Sequence, residues 1–330
     1  MRIIVPNYRA SDRFVDNVAS ALEDMGHDVR TCPAPSTRWL DSRVRGMLLE
    51  VAQRAGLATV SPQERWLVTE AKRFRPDLVL ALTQALTEET LHALRVAGVP
   101  RLAAWWGDSP GNMRQMGLFV KGWDVVFLKD PDGVRKFRRV GLNAHLLHEA
   151  CNPRWHRPVS TQENDNVVLA GNFYAFRQAL VLKLIEANVP VELYGGRLPL
   201  WVHPEIRRRH TGRYVEREEK SRVFGAAMAC LNSTQIVEGN SLNCRAFEIA
   251  AAGGLQVMEY RPIISDCFEP GKEILVFDTF DELLEHLERA RKAPGEMAAI
   301  REAGARRAMA EHTYERRLKR VLAMTGGHGE

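Results

Sequence analysis

Paired cysteines are absent. The five present, Cys32, Cys151, Cys230, Cys244 and Cys267, are odd in number and widely spaced. With no C-x-x-C pair among them, a disulfide scaffold, a cysteine zinc site and thiol redox chemistry are excluded, and all five are expected reduced. Long apolar runs are absent too: no window approaches the roughly 20 residues of a membrane span. The apolar stretch in MRIIVPNYRASDR is too short for a signal-peptide core, so a cytoplasmic protein is expected. No G-x-G-x-x-G, no P-loop ending in G-K-[ST] and no G-x-S-x-G elbow occurs, which removes the signatures of dehydrogenases, P-loop NTPases and serine hydrolases. Charge of one sign is scarce: 46 Lys and Arg stand against 41 Asp and Glu, a formal charge of +5. So mild an excess fits a phosphorylated small molecule, anionic lipid headgroups or a merely solvated surface. Basic and aromatic residues are not interleaved along one surface, so no nucleic-acid partner is expected.

What is there is a folded chain, 45% hydrophobic and 26% charged, whose 330 residues are enough for two domains. Short Val/Ile/Leu runs at Arg2 to Val5, Asp77 to Leu82, Leu102 to Trp106 and Asp124 to Leu128 alternate with helical stretches. Continuously apolar strands belong to parallel sheets covered on both faces, which predicts an α/β fold. Helices over Asp12 to Met25, Thr87 to Ala97 and Pro131 to Val140 each close on a glycine suited to a left-handed cap, Gly26, Gly98 and Gly141. Between residues 35 and 75 a helical insertion is expected, over Trp39 to Arg54 and Ser61 to Phe74.

The Pro-containing polar run from Asn152 to Asn166 reads as a linker, dividing the chain into residues 1–158 and 159–330. Beyond it the alternation restarts. Strands are expected at Val167 to Ala170, Val191 to Tyr194, Ala229 to Asn232, Leu255 to Glu259 and Ile274 to Phe277, and the tail from Pro294 onward is helical. Open parallel sheets bind ligands beyond the carboxyl ends of their strands, so two Rossmann-like α/β/α domains facing a central cleft would share one site.

Two stretches point to chemistry. The strand ending at Ala170 runs into Gly171-Asn172 and then Arg177, presenting helix-start N–H groups and a guanidinium fork suited to phosphate; a helix-start glycine with a solvated arginine is the plainer alternative. The run from Val237 to Gly254 opens polar and small, carries Arg245 and Glu248 on one helical face, and ends Ala-rich. Glu248 could accept hydrogen bonds from a ribose diol, or pair with Arg245 in a capped core helix.

Elsewhere, the literal D-x-D at Asp130-Pro131-Asp132 sits where a strand enters a helix and reads as a cap, not a metal site. His145 and His148, three apart in or near a strand, fall on opposite faces, so no metal is expected. Asp108, ending a strand, is either a base at the carboxyl edge or a turn former in Asp-Ser-Pro-Gly. Trp105 and Trp106 offer a stacking surface or core. The cluster Arg135 to Arg139 would allow peripheral membrane contact, although a solvated helix face explains it equally.

The strings NCRAFEIAAAGG, EYRPIISDCFEPGKEILVF and EHTYERRLKRVL, with DVVFLKDPDGVRKFRRVGLNAHLLHEACNP before them, resemble the CgeB-like glycosyltransferases, a GT-B family, over roughly residues 100 to 325. The resemblance implies a nucleoside-diphosphate-sugar donor held by the C-terminal domain, an acceptor held by the N-terminal one, and no cofactor or metal. Carried over, Glu248 would bind the donor ribose and Arg177 the diphosphate. Asn243 and Arg245 would lie near the diphosphate or sugar, Gly171 and Asn172 would allow close backbone approach, and Lys272 would add charge. Fixed donors of this kind stabilise a departing diphosphate. One departure stands out: related retaining enzymes carry a glutamate eight positions before the ribose-binding one, and here that position is Asn240, with Glu238 two residues earlier. A non-catalytic nucleotide-sugar binder and a sugar-nucleotide epimerase on the same fold are the alternatives.

Overall fold

A computed structural model describes residues 1–34, 47, 51–52, 55, 60–84, 86–108, 122–173 and 175–326. Most of the expected helix over Trp39 to Arg54, and the Ser109 to Gly111 turn, lie outside them. The chain divides into two compact units, Met1–Leu147 together with Leu318–Glu330, and His148–Arg317.

The first unit is built on six parallel strands, β1 (Arg2–Tyr8), β2 (Asp28–Cys32), β3 (Leu78–Leu82), β4 (Leu102–Trp106), β5 (Val125–Leu128) and β6 (Ala144–Leu146), in the order β2-β1-β3-β4-β5-β6. Every residue of β3, β4 and β5 is buried, as a sheet covered on both faces requires. Pro6 cannot donate to the ladder, and the β1–β2 register slips between Val5 and Tyr8. Asn7 makes good the loss on the other side: its amide donates to Leu82 O at 2.7 Å and its Oδ1 accepts from Leu82 N–H at 3.1 Å. Among the described residues its helices include α1 (Phe14–Asp24), α2 (Pro62–Phe74), α3 (Glu88–Val96) and α4 (Pro131–Arg139). A Ser61/Glu64 capping box starts α2, and Glu64 also accepts from Thr87 N–H at 2.7 Å and Thr90 Oγ1 at 3.0 Å, fixing the start of α3. Asp130 caps α4 through Asp132 N–H at 2.8 Å, so the D-x-D is a helix start. Trp105 is core: fully buried, edge-on to Phe14 at 4.9 Å, its indole N–H on Leu147 O at 3.2 Å.

The second unit has five parallel strands, β7 (Val167–Ala170), β8 (Val191–Tyr194), β9 (Ala229–Asn232), β10 (Gln256–Glu259) and β11 (Leu275–Phe277), in the order β11-β10-β9-β7-β8. Its helices are α5 (Ala175–Glu186), α6 (Pro204–Arg209), α7 (Arg217–Ala226), α8 (Cys244–Ala251), α9 (Ile264–Cys267), α10 (Phe280–Lys292) and α11 (Pro294–Glu311); the last helix, α12 (Tyr314–Thr325), begins in this unit and from Leu318 counts with the first. One face of the sheet packs Val181 and Leu184 with Leu283 and Leu287; the other packs Phe224, Ile249 and Ala252. Helix α11 packs on α8 and passes close to the backbone before β11, where residue 304 is glycine and a Cβ would collide with the Glu273 carbonyl. Arg301 latches it there, donating to the carbonyls of Gly225, Gly253, Ala227 and Met228 at 3.3, 3.2, 2.6 and 2.7 Å.

The division between units falls before the polar run from Asn152 to Asn166. Trp155 and His156 are buried, and Ser221 Oγ donates to Trp155 O at 2.9 Å, tying this stretch into the second unit.

Candidate functional site

In the second sheet the chain leaves β7 for β8 on one side and returns through α7 to β9 on the other. This reversal of direction opens a crevice at the carboxyl ends of β7 and β9, where ligands of open α/β sheets bind. Gly171 ends β7 with φ +131°, and its N–H donates to Tyr194 O at 2.8 Å. A Cβ there would overlap the Arg245 guanidinium, so glycine lets the first turn of α8 close over the end of β7.

Opposite stands the start of α8. Asn243 caps it, accepting from Ala246 N–H at 3.1 Å, and exchanges amide hydrogen bonds with Asn232 at the end of β9, at 2.9 and 3.1 Å. Asn240 accepts from Ile263 N–H at 3.0 Å, which pins the preceding loop. Glu238 is buried and receives the Ser241 hydroxyl at 3.0 Å.

One turn into α8, Glu248 is buried. Its Oε2 lies 2.9 Å from Lys220 Nζ on α7, and its Oε1 3.8 Å from His156 Nε2. His156 Nδ1 accepts from Asn152 N–H at 3.0 Å, so in the neutral ring the proton sits on Nε2, facing the carboxylate. Neither Lys220 nor His156 was indicated by any local motif, since both are remote from Glu248 in sequence.

Arg177 is buried and turned toward the protein. It donates to Ser233 Oγ at 2.9 Å and to the carbonyls of Asn172 and Ser233, bracing the ends of β7 and β9 against each other. Burial pushes the nearby Glu259 carboxyl above its usual range, against hydrogen bonds from Thr234 and the charges of Arg261 and Arg177. Lys272 is exposed and paired with Glu269 at 2.5 Å. In the first unit Asp108 is exposed, at a bend just past β4.

The structure therefore gathers Gly171, Asn243, Arg245 and Glu248 at one crevice, with Asn240 holding its loop and Arg177 its frame. Such an arrangement can take a diol on the carboxylate and an anion on the guanidinium and helix start.

Residues 177–323 match the model of a family described as glycosyl transferase-like. No curated protein sequence matches the chain. Among solved structures, sucrose-phosphate synthase from Thermosynechococcus elongatus superposes with a TM-score of 0.67 at 14% identity, over 98% of this chain and 97% of that one. The chain has the GT-B fold. Anabaena HepE, solved with UDP and glucose, is similar to this chain with a TM-score of 0.66 at 13% identity, over 98% and 99% of the two chains. AviGT4, involved in avilamycin A biosynthesis, follows with a TM-score of 0.60 at 16% identity, over 98% and 97%. Among the described residues, no helix is long and apolar enough to cross a membrane.

Proposed function

We propose that this chain is a CgeB-like glycosyltransferase that takes its sugar from a nucleoside-diphosphate sugar seated in the crevice between β7 and β9. The observation that supports this most is the buried Glu248 carboxylate one turn into α8, beside the Gly171–Arg245 contact. Glu248 receives the ribose hydroxyls, while Arg245 and the N–H groups at the start of α8 meet the diphosphate. As the sugar–phosphate bond breaks, negative charge grows on the departing diphosphate, and fixed donors already aimed at it lower the barrier. On this reading neutralisation needs no metal ion. Asn172 offers backbone to the phosphates, and Lys272 would join only by leaving Glu269.

Acceptor recognition is assigned to the first unit, with Asp108 as the candidate base. The acceptor class spans glycan, lipid-linked glycan, protein and small molecule. For a membrane-borne acceptor, the basic face of α4 around Arg135 to Arg139 would supply peripheral attraction in the cytoplasm.

HepE has been solved with UDP and with UDP-glucose, which makes UDP the first probe. A thermal-shift panel of UDP, GDP, ADP and dTDP with their sugar conjugates tests the reading, because a ligand of the folded state raises the melting temperature by mass action. One nucleotide should raise it, with the shift lost in Glu248→Ala; no shift across the panel would overturn the assignment. Release of free nucleoside diphosphate from the bound donor then separates a transferase from a binder.

A further inference from the structure

We propose that Lys220 is the positioning residue that sets selectivity for ribose at this site, with His156 as its counterpart on the other side of the carboxylate. The inference rests on the assignment of Glu248 to the donor ribose. A glutamate on a helix has three side-chain torsions, and a carboxylate free to rotate would meet a diol in many orientations. Here Lys220, from outside α8, holds one oxygen, and His156 stands beside the other.

Lys220 is buried on α7 and places Nζ 2.9 Å from Oε2. Its ammonium is a compact point charge that occupies one lone-pair direction and leaves the others open, unlike a guanidinium fork. On the far side, His156 is fully buried and bonded through Nδ1 to the Asn152 N–H, which directs Nε2–H at Oε1 across 3.8 Å. That separation is too long for a strong hydrogen bond, so Oε1 keeps acceptor capacity. A carboxylate oriented by a cation on one oxygen and open on the other matches a vicinal diol, which presents two O–H donors side by side.

The test compares dissociation constants of UDP, 2′-deoxy-UDP and 3′-deoxy-UDP by calorimetry on the full chain. Hydrogen bonds to charged groups are individually strong, so the wild type should bind the ribonucleotide about tenfold or more tighter than the deoxy forms. In Lys220→Met, which keeps the aliphatic stem, that ratio should fall to within about threefold while circular dichroism stays native. Lys220→Gln, retaining an uncharged NH2 donor group, should fold even if the methionine variant does not, and should give an intermediate ratio.

A folded Lys220 variant with the wild-type ratio would overturn the inference, since a lysine that only stabilised the fold would lower the melting temperature and leave selectivity alone. The parent reading fails differently: a wild type that binds UDP without distinguishing the deoxy forms, or a Glu248→Gln variant that still distinguishes them, removes the ribose from Glu248 altogether.

Discussion

At the scale of single residues, much of this site is held by side chains whose work is structural. His312 shows how such a residue becomes measurable. Its Nε2–H donates to Cys267 O at 2.7 Å, its Nδ1 accepts from Arg317 at 2.9 Å, and Phe247 and Phe268 stack around it at 5.0 and 5.1 Å. Burial lowers its pKa to about 4 from the usual 6.5. The unfolded chain therefore takes up a proton between those values and the folded one does not. The stabilisation is complete above pH 6.5 and is lost as pH falls toward 4. That amounts to about 3 kcal/mol at the acid end. Urea unfolding of the second unit followed from pH 7 to 4.5 should show this slope, and His312→Gln, which keeps a donor for Cys267 O, should flatten it. An unchanged slope would mean that other groups carry the acid sensitivity.

The same scale separates what the sequence could say about the site from what it could not. Gly171, Asn243, Arg245 and Glu248 stood out because a strand-end glycine and a polar helix start are local signals. Arg177 stood out equally, yet its guanidinium spans two loops inside the protein, and nothing in spacing tells whether an arginine on a first helical turn faces a crevice or a carbonyl. Lys220 and His156 gave no signal, because each reaches Glu248 only through tertiary packing.

At the scale of elements, the buried strands were legible because parallel strands covered on both faces are apolar throughout. Strand β2 was not: Asp-Val-Arg-Thr-Cys lies at the sheet edge, exposed at alternate positions, and lacks an apolar run. The six residues of α6 are too few to show a helical period. Helix α11 makes an element-scale prediction. Arg301 satisfies four carbonyls at the ends of α7 and α8 and before β9, and burial holds its pKa below the ordinary arginine value. Arg301→Met keeps much of the volume and strands those acceptors, so it should cost about 2–4 kcal/mol. Amide exchange should accelerate together in α7, α8 and α11; faster exchange confined to α11 would show that the latch does not couple them.

At the scale of the whole molecule, chain length and the restarting alternation of strands and helices were enough to indicate two α/β units, but they could not indicate which unit owns the tail. Leu318 and Val321 are fully buried, and the segment from Leu318 onward counts with the first unit, although the rest of that unit ended at Leu147. A chain stopped after Arg317 should therefore lose stability in the first unit selectively. Calorimetry should show one transition moved down and one unmoved, whereas two equal shifts would contradict the division. The arrangement also bears on synthesis. His148–Arg317 is a continuous stretch, complete once residue 317 has left the ribosome, while the unit begun at Met1 waits for the last helical turns. The part made first is the part finished last, and the continuous unit is expected to reach its native state while the other is still missing a piece of its core.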